Sequence, residues 1–179
     1  MKLVLVDRDG VLNVDMPGSV KSPEELIMIP GSAHAIGRLN AKGIRVAVVT
    51  NQAVVGRGTI TLEMLGQIHS KLHACLKEAG AWVDDIFVCT DTGEVPSSRR
   101  KPAPGLLREA LEKYGAKAQE TPMIGDALRD LEAAALIGCP RILVLTGKGI
   151  ATKNAGFPAA VNPVTIYPDL LAFVESLNV

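Results

Sequence analysis

Aromatic side chains are scarce, with one Trp, two Tyr and three Phe among 179 residues, or 3% of the chain. The 47% hydrophobic fraction must therefore build its core from Val, Leu, Ile and Ala. No row of rings is present on which the bases of an extended nucleic-acid strand would stack. Net charge is lacking too: 19 Lys and Arg balance 19 Asp and Glu, and no long basic run occurs. General binding to nucleic acid or to an anionic membrane is disfavoured on that ground. The three cysteines, Cys75, Cys89 and Cys139, form no paired pattern, and no charged-then-apolar leader opens the sequence, so a reducing cytoplasm is the expected setting. No apolar stretch approaches the roughly 20 residues that span a bilayer. One domain over residues 1–179, soluble and monomeric, is expected.

What is present is concentrated in the first ten residues. Leu3 to Val6 has the length and β-branched content of a strand buried on both faces, and it ends in Asp7-Arg8-Asp9-Gly10. Open α/β sheets place their ligand crevices at such strand ends. If the chain stays extended, Asp7 and Asp9 point to one side and repel, which calls for a cation between them. A hard divalent ion such as Mg²⁺ suits oxygen ligands of this kind. The plainer alternative is that Asp-Gly after a strand is turn chemistry alone.

Strand-like and helix-like stretches then alternate. A polar, turn-rich loop runs from Asn13 to Pro30 and has the length of a binding loop or small lid. A helix around Ala33 to Asn40 stops at Gly43, and a second buried strand, Val46 to Thr50, ends in Asn51-Gln52. After Gly56-Arg57-Gly58, the apolar stripe Leu62, Leu65, Ile68, Leu72 and Leu76 marks a long helix ending at Gly80. Further strands are expected at Ile86 to Cys89, Pro122 to Ile124, Arg141 to Leu145 and Val164 to Ile166. Helices are expected from Pro104 to Gly115, from Leu128 to Leu136 and from Pro168 onward. Strict alternation implies a doubly wound, mainly parallel α/β sheet with helices on both faces and no large cap domain.

Three strand ends carry polar groups that such a sheet would gather at one edge, namely Asp7 and Asp9, Thr50 and Asn51, and Asp126, with Lys101 on a loop between them in sequence. A carboxylate nucleophile, a metal, a hydroxyl and a fixed cation are the parts that phosphoryl transfer uses. Each alone has an ordinary reading, since a Lys before Pro is usually solvated and Gly-Asp is usually a turn. A receiver-type signalling domain, also phosphorylated on Asp beside Mg²⁺, needs an isolated Asp at a central strand end, where this chain has Thr50. A dehalogenase has no use for Asp9, because a halide leaves unprotonated. Elsewhere, His69 and His73 share a helical face without a third ligand and read as ordinary helix residues. Lys148 in Thr146-Gly-Lys-Gly149 lacks the phosphate-loop spacing and reads as a turn, with substrate contact left open. Trp82 reads as packing and Cys89 as a buried small hydrophobe.

Together Asp7-Arg-Asp9-Gly10, Thr50-Asn51, Lys101-Pro102 and Gly125-Asp126-x-x-x-Asp130 resemble the four motifs of the haloacid dehalogenase-like phosphohydrolase superfamily over nearly the whole chain. Asp7 through Asp15, Thr50-Asn-Gln52 with Arg57-Gly58, and Arg100-Lys101-Pro102 are similar to the branch that acts on histidinol phosphate and on heptose 1,7-bisphosphate. The resemblance implies a phosphomonoesterase in which Asp7 attacks phosphorus and Asp9 serves as acid and base. It also implies that Thr50 and Lys101 hold the transferring group, that Asp7, the Asp9 carbonyl and Asp126 bind Mg²⁺, and that Asp130 orients Lys101. Substrate contacts are implied at Asp15, Gly18, Thr50, Asn51, Gln52, Arg57, Arg100 and Lys101. The expected substrate is a small phosphorylated sugar, heptose 1,7-bisphosphate losing its 7-phosphate in lipopolysaccharide-precursor synthesis. Histidinol phosphate or another small ester is the alternative, and a polynucleotide 3′-phosphate a weaker one. That branch commonly carries a zinc-binding Cys-x-His and Cys-x-Cys, whereas Cys89-Thr-Asp91 and Ser97-Ser-Arg99 stand here, so no structural zinc is expected. Ala127 stands where the heptose enzymes often have Lys.

Overall fold

In the computed structural model, which describes residues 1–95 and 97–177, six strands form one parallel sheet. The strands are β1 (Leu3–Val6), β2 (Arg45–Asn51), β3 (Asp85–Cys89), β4 (Met123–Gly125), β5 (Arg141–Val144) and β6 (Val164–Tyr167). Their order is β3-β2-β1-β4-β5-β6. The chain leaves β1 towards β2 on one side and returns on the other through β4, so the switch in direction falls at the central strand that carries Asp7.

Between them lie helices α1 (Ser32–Ala41), α2 (Ala53–Gly56), α3 (Leu62–Glu78), α4 (Gly105–Tyr114), α5 (Leu128–Ala135), α6 (Gly149–Ala155) and α7 (Leu170–Ser176). At two N-termini the N-cap residue's own side chain closes the helix: Thr61 accepts from the Met64 amide at α3 and Asp169 from the Ala172 amide at α7. The alternation of strand side chains fills two layers. Val4, Val6, Val46 and Val48 meet Ile36 and Leu39 of α1, Ile68, Leu72 and Leu76 of α3, and Phe173 of α7. Leu3, Leu5, Ala47 and Val49 face Leu106, Leu107 and Ala110 of α4 and Ala133 and Ala134 of α5. Each fully buried Leu or Val contributes about 1.5–3 kcal/mol relative to exposure, so aliphatic interdigitation suffices where rings are few. Trp82 departs from the packing expectation: it is 52% exposed. The loop after β1 is less slack than its composition suggests. A 3₁₀ turn at Pro23–Glu25 and bridges from Asn13 to Asp9 and to Met28 fold it back over the sheet end. No described helix is long and apolar enough to cross a membrane.

Candidate active site

The C-terminal ends of β1, β2 and β4 bring Asp7, Thr50 and Asp126 to one buried point. Behind them lies Lys101, 1% exposed. Its Nζ sits 3.1 Å from Asp7 Oδ1, 2.7 Å from Asp130 Oδ1 and 2.7 Å from the Val49 carbonyl oxygen. Of its three N–H donors the Val49 carbonyl takes one in a hydrogen bond, while Asp7 and Asp130 stand at ion-pair distance. Lys101 therefore supports the charge of Asp7 from beneath, and it is not among the residues that line the cavity beside it. Asn51 fixes the Lys101 backbone from both sides, accepting its N–H at 3.1 Å and donating to its carbonyl at 2.9 Å. Asp130 also accepts the Ala127 amide, so one carboxylate caps α5 and anchors Lys101.

Asp7 Oδ1 accepts the Arg8 amide at 2.7 Å as well as Lys101. Oδ2 takes no hydrogen bond among the described residues, and Asp7 lines a cavity of about 150 Å³ at the sheet's end. Burial pushes the Asp7 carboxyl up to about 6, Lys101 opposing and Asp130 reinforcing the rise. Asp126 goes up to about 7, through burial and then the charges of Asp7 and Asp130. Carboxylate oxygens of Asp7, Asp126 and Asp130 lie within 4.8 Å of one another. Asp126 Oδ1 is buried and unpartnered, while Oδ2 accepts the Lys148 amide at 2.8 Å. A Cβ on Gly10 would come within 2.1 Å of Asp126 Oδ2, and Gly10 holds φ +82°. Only glycine lets the backbone approach the carboxylate so closely. Crowded carboxylate oxygens, with Asp126 Oδ1 left unpartnered, are a donor set that a hard divalent ion fits.

Asp9 is treated differently. Its oxygens accept from Arg8, from Asn13 Nδ2 at 2.9 Å and from Gln52 Nε2 at 2.8 Å. Burial alone would raise its carboxyl, but the Arg8 charge and these hydrogen bonds hold it below the usual range. Gln52, expected at the substrate, is 1% exposed and spends its amide on Asp9 and Thr50. It does not line the cavity. Gly18 lies outside the lining as well, its place taken by the neighbouring Ser19.

Cations form the cavity rim. Arg57 and Arg100 stand there as the sequence suggests, joined by Lys148 and by Arg129, which sequence reasoning missed. Arg129 Nε is buried and unpartnered. The signal for it lay in its position between Asp126 and Asp130, at the mouth of a helix, where a charge is costly unless used. Lys148 is more than a turn residue: its Nζ pairs with Asp15 at 2.9 Å across the mouth, and Thr146 and Thr152 tie the same segment to the Gly10 and Asp126 carbonyls. Arg99 points elsewhere, onto Glu109 at 2.6 Å. Next to the rim, the Ser97 hydroxyl donates to Asp91 and lies 3.9 Å from Cys89 Sγ. Cys89 is buried, as expected, and its thiol is raised by that burial. Larger hollows lie along Thr90 to Arg99 and between Pro102 and Val161, away from the carboxylates.

Residues 16–138 match the haloacid dehalogenase-like hydrolase family. The chain is 41% identical over 178 residues to the D-glycero-beta-D-manno-heptose-1,7-bisphosphate 7-phosphatase of Bordetella bronchiseptica, covering 99% of this chain and 98% of that one. To the Pseudomonas putida enzyme of the same name it is 40% identical, with 99% of each chain covered. The B. bronchiseptica D,D-heptose 1,7-bisphosphate phosphatase solved with magnesium and phosphate superposes with a TM-score of 0.94 at 41% identity, over 99% of this chain and 98% of that one. The Burkholderia thailandensis enzyme gives a TM-score of 0.77 at 37% identity, over 99% of each chain. These matches span the sheet, the carboxylate cluster and the loops around it, and the chain belongs to the haloacid dehalogenase-like hydrolase family, among its phosphatases.

Proposed function

We propose that this phosphatase removes the 7-phosphate of a heptose 1,7-bisphosphate through a phospho-enzyme on Asp7, with Mg²⁺ as cofactor. One observation carries the mechanism: Asp7 lines the cavity, and with Oδ1 held by the Arg8 amide and Lys101 its Oδ2 is the oxygen without a hydrogen bond among the described residues. Asp7 Oδ2 attacks phosphorus, the ester P–O bond breaks, and the departing oxygen takes its proton from Asp9. A water molecule then gives a proton to Asp9 and attacks the same phosphorus, breaking the bond to Asp7 and releasing phosphate. Asp9 rests as a carboxylate; a phosphate dianion arriving beside it raises its hold on a proton, which it takes up from solvent as substrate binds and gives back to solvent as phosphate leaves. Asp7, Asp126 and the Asp9 carbonyl would hold Mg²⁺, which when bound supplies positive charge against the phosphate oxygens. Thr50 keeps its hydroxyl at the cavity wall while Gln52 donates to it at 2.9 Å, so the hydroxyl proton is left for a phosphoryl oxygen.

Heptose bisphosphate is favoured by the relatives' substrate and by the rim. Arg57, Arg100, Arg129 and Lys148 present a field for a second phosphate, which a sugar monophosphate would use once and a histidinol cation not at all. The cavity is open and small, so the sugar and its far phosphate rest against these loops. In the deciding experiment kcat/KM is measured for heptose 1,7-bisphosphate, histidinol phosphate and simple sugar monophosphates under one Mg²⁺ condition. The bisphosphate should lead by at least about tenfold, and Asp7→Asn should lower turnover about a thousandfold or more. Equal rates for mono- and bisphosphates would remove the heptose assignment, and an active Asp7→Asn protein would remove the covalent one.

A further inference from the structure

We propose that Arg8 and His69 form a buried pair that aims Asp9 at the leaving oxygen, a positioning role that rests on the reading of Asp9 as proton donor. Arg8 is 0% exposed and takes no part in lining the cavity, so it does not serve as a substrate contact. Its guanidinium lies under Asp9, with Nε 3.3 Å and Nη2 3.0 Å from Oδ1, and Nη2 2.9 Å from Oδ2. Nη2 also reaches Gln52 Oε1 at 3.2 Å, and Gln52 returns to Asp9 through its Nε2. The far side of the fork is held by His69 of α3, whose Nε2 stands 3.2 Å from Arg8 Nη1.

A guanidinium donates only, so His69 Nε2 must accept and the ring must carry its one proton on Nδ1. Burial, then the Arg8 charge, hold that ring neutral. The result is a chain from helix to acid, in which each member is fixed by the next. Asp9 stands beyond the end of β1, where the strand no longer fixes it, and Arg8 joins Asn13 and Gln52 in holding its carboxylate to one orientation. A misplacement of about 1 Å at a reacting group is enough to cost about a hundredfold in rate.

The readout that separates aiming from folding is leaving-group dependence. With saturating Mg²⁺, kcat/KM reports events up to the first irreversible step, the transfer to Asp7. A sugar phosphate needs the proton from Asp9 in that step, whereas p-nitrophenyl phosphate, whose leaving group is already stable, does not. Asp9→Asn should therefore depress kcat/KM for the sugar ester at least about a hundredfold more than for the aryl ester. His69→Ala should show the same signature at about tenfold, with the aryl ester changed by less than about twofold. His69→Gln, whose amide oxygen can accept where Nε2 did, should recover most of the sugar-ester rate. Should His69→Ala fold poorly, Arg8→Lys keeps the charge, loses the fork and carries the same prediction. The pair is overturned if Asp9→Asn discriminates between the esters while the His69 and Arg8 variants lower both equally or neither. If Asp9→Asn itself does not discriminate, the proton-donor reading fails and takes the pair with it.

Discussion

Two regions at the same end of the sheet are held together by opposite means. Under the cavity, Asp7, Lys101 and Asp130 are almost wholly buried and form ion pairs at 2.7–3.1 Å. Beside it, the described residues between Asp91 and Arg100 are largely exposed and rest on the Ser97 hydroxyl, which donates to Asp91 and accepts from the Arg99 and Arg100 amides, and on an Arg99–Glu109 pair at the surface. In the first region, removing one charge strands another where water cannot reach it. In the second, water replaces whatever is lost. The contrast teaches which positions admit substitution: the loop rests on exposed contacts of Ser97, Asp91, Arg99 and Glu109 that water can replace, whereas the floor is built from buried charges that need one another.

The largest effect should therefore follow from Lys101→Met, which leaves Asp7 and Asp130 facing each other unpaired. Breaking a buried ion pair in this way costs about 3–5 kcal/mol. For a chain of this size that corresponds to a fall in Tm of about 10 °C. Thermal unfolding monitored by circular dichroism measures it. A loss under about 1 kcal/mol would mean that the floor is no more electrostatically determined than the loop.

The same contrast governs what the sequence disclosed. Strands buried on both faces announce themselves as runs of Val, Leu and Ile, so β1, β2 and β5 were legible nearly to the residue. The acids at strand ends were legible because their types and order are tied to chemistry. The short α2 and α6 were not, having no apolar stripe long enough to show a period. Nor was strand order, which depends on which crossovers pass on which side. Gln52 is expected at the substrate, and Arg8 and Arg129 carry no expectation at all, because a sequence does not say which way a polar side chain turns. Only the fold shows Gln52 and Arg8 facing inward to Asp9. His69 escaped for the same reason: its partner is 61 positions away.

Converting the loop back to a metal clamp sharpens the comparison from the other side. Cys89 Sγ and Ser97 Oγ stand 3.9 Å apart. Two sulfurs on one tetrahedral zinc are about 3.8 Å apart, given Zn–S bonds near 2.3 Å. The triple variant Asp91→His, Ser97→Cys, Arg99→Cys should therefore take up one zinc. At a hundredfold excess over its Kd the ion would add about 3 kcal/mol. The parent chain should bind none stoichiometrically, and chelation should leave its Tm unchanged. Metal analysis of both proteins after purification without added zinc decides it; zinc in the parent would show that the loop is clamped after all.

A smaller effect lies in the pH dependence of stability. His69 titrates at about 4 when folded, because burial and Arg8 disfavour its charge, against about 6.5 when unfolded. The unfolded chain therefore takes up the proton first as pH falls. The stability linked to neutral His69 is fully present above pH 6.5 and is lost progressively down to pH 4. His69→Gln removes that one titration. Its loss of stability between pH 6.5 and 4, followed through Tm, should be shallower than that of the parent by up to about 2.5 kcal/mol across the interval. Parallel curves would place the ring in solvent contact, closer in character to the loop than to the floor.

The smallest effect should come from Glu109→Ala. Glu109 holds Arg99 by two contacts, 2.6 Å to Nε and 2.9 Å to Nη2, with side chains 46% and 39% exposed. Pairs so open to water contribute about 0.2–1 kcal/mol, and the melting temperature should scarcely move. The pair nevertheless sits one residue from Arg100, whose Nη1 donates to the Asp91 carbonyl at 2.7 Å and whose head lines the cavity rim. Freeing Arg99 lets that turn of chain shift, so the cost should appear as weaker binding of a substrate that reaches the rim. KM for a sugar bisphosphate should rise about two- to fivefold, the factor that the same fraction of a kcal/mol allows, while kcat stays within error. KM for a small monophosphate bound only at Asp7 should not change. A fall in kcat for both would show that the rim and the floor are mechanically one unit, and the division between the two regions would then be wrong where it matters for turnover.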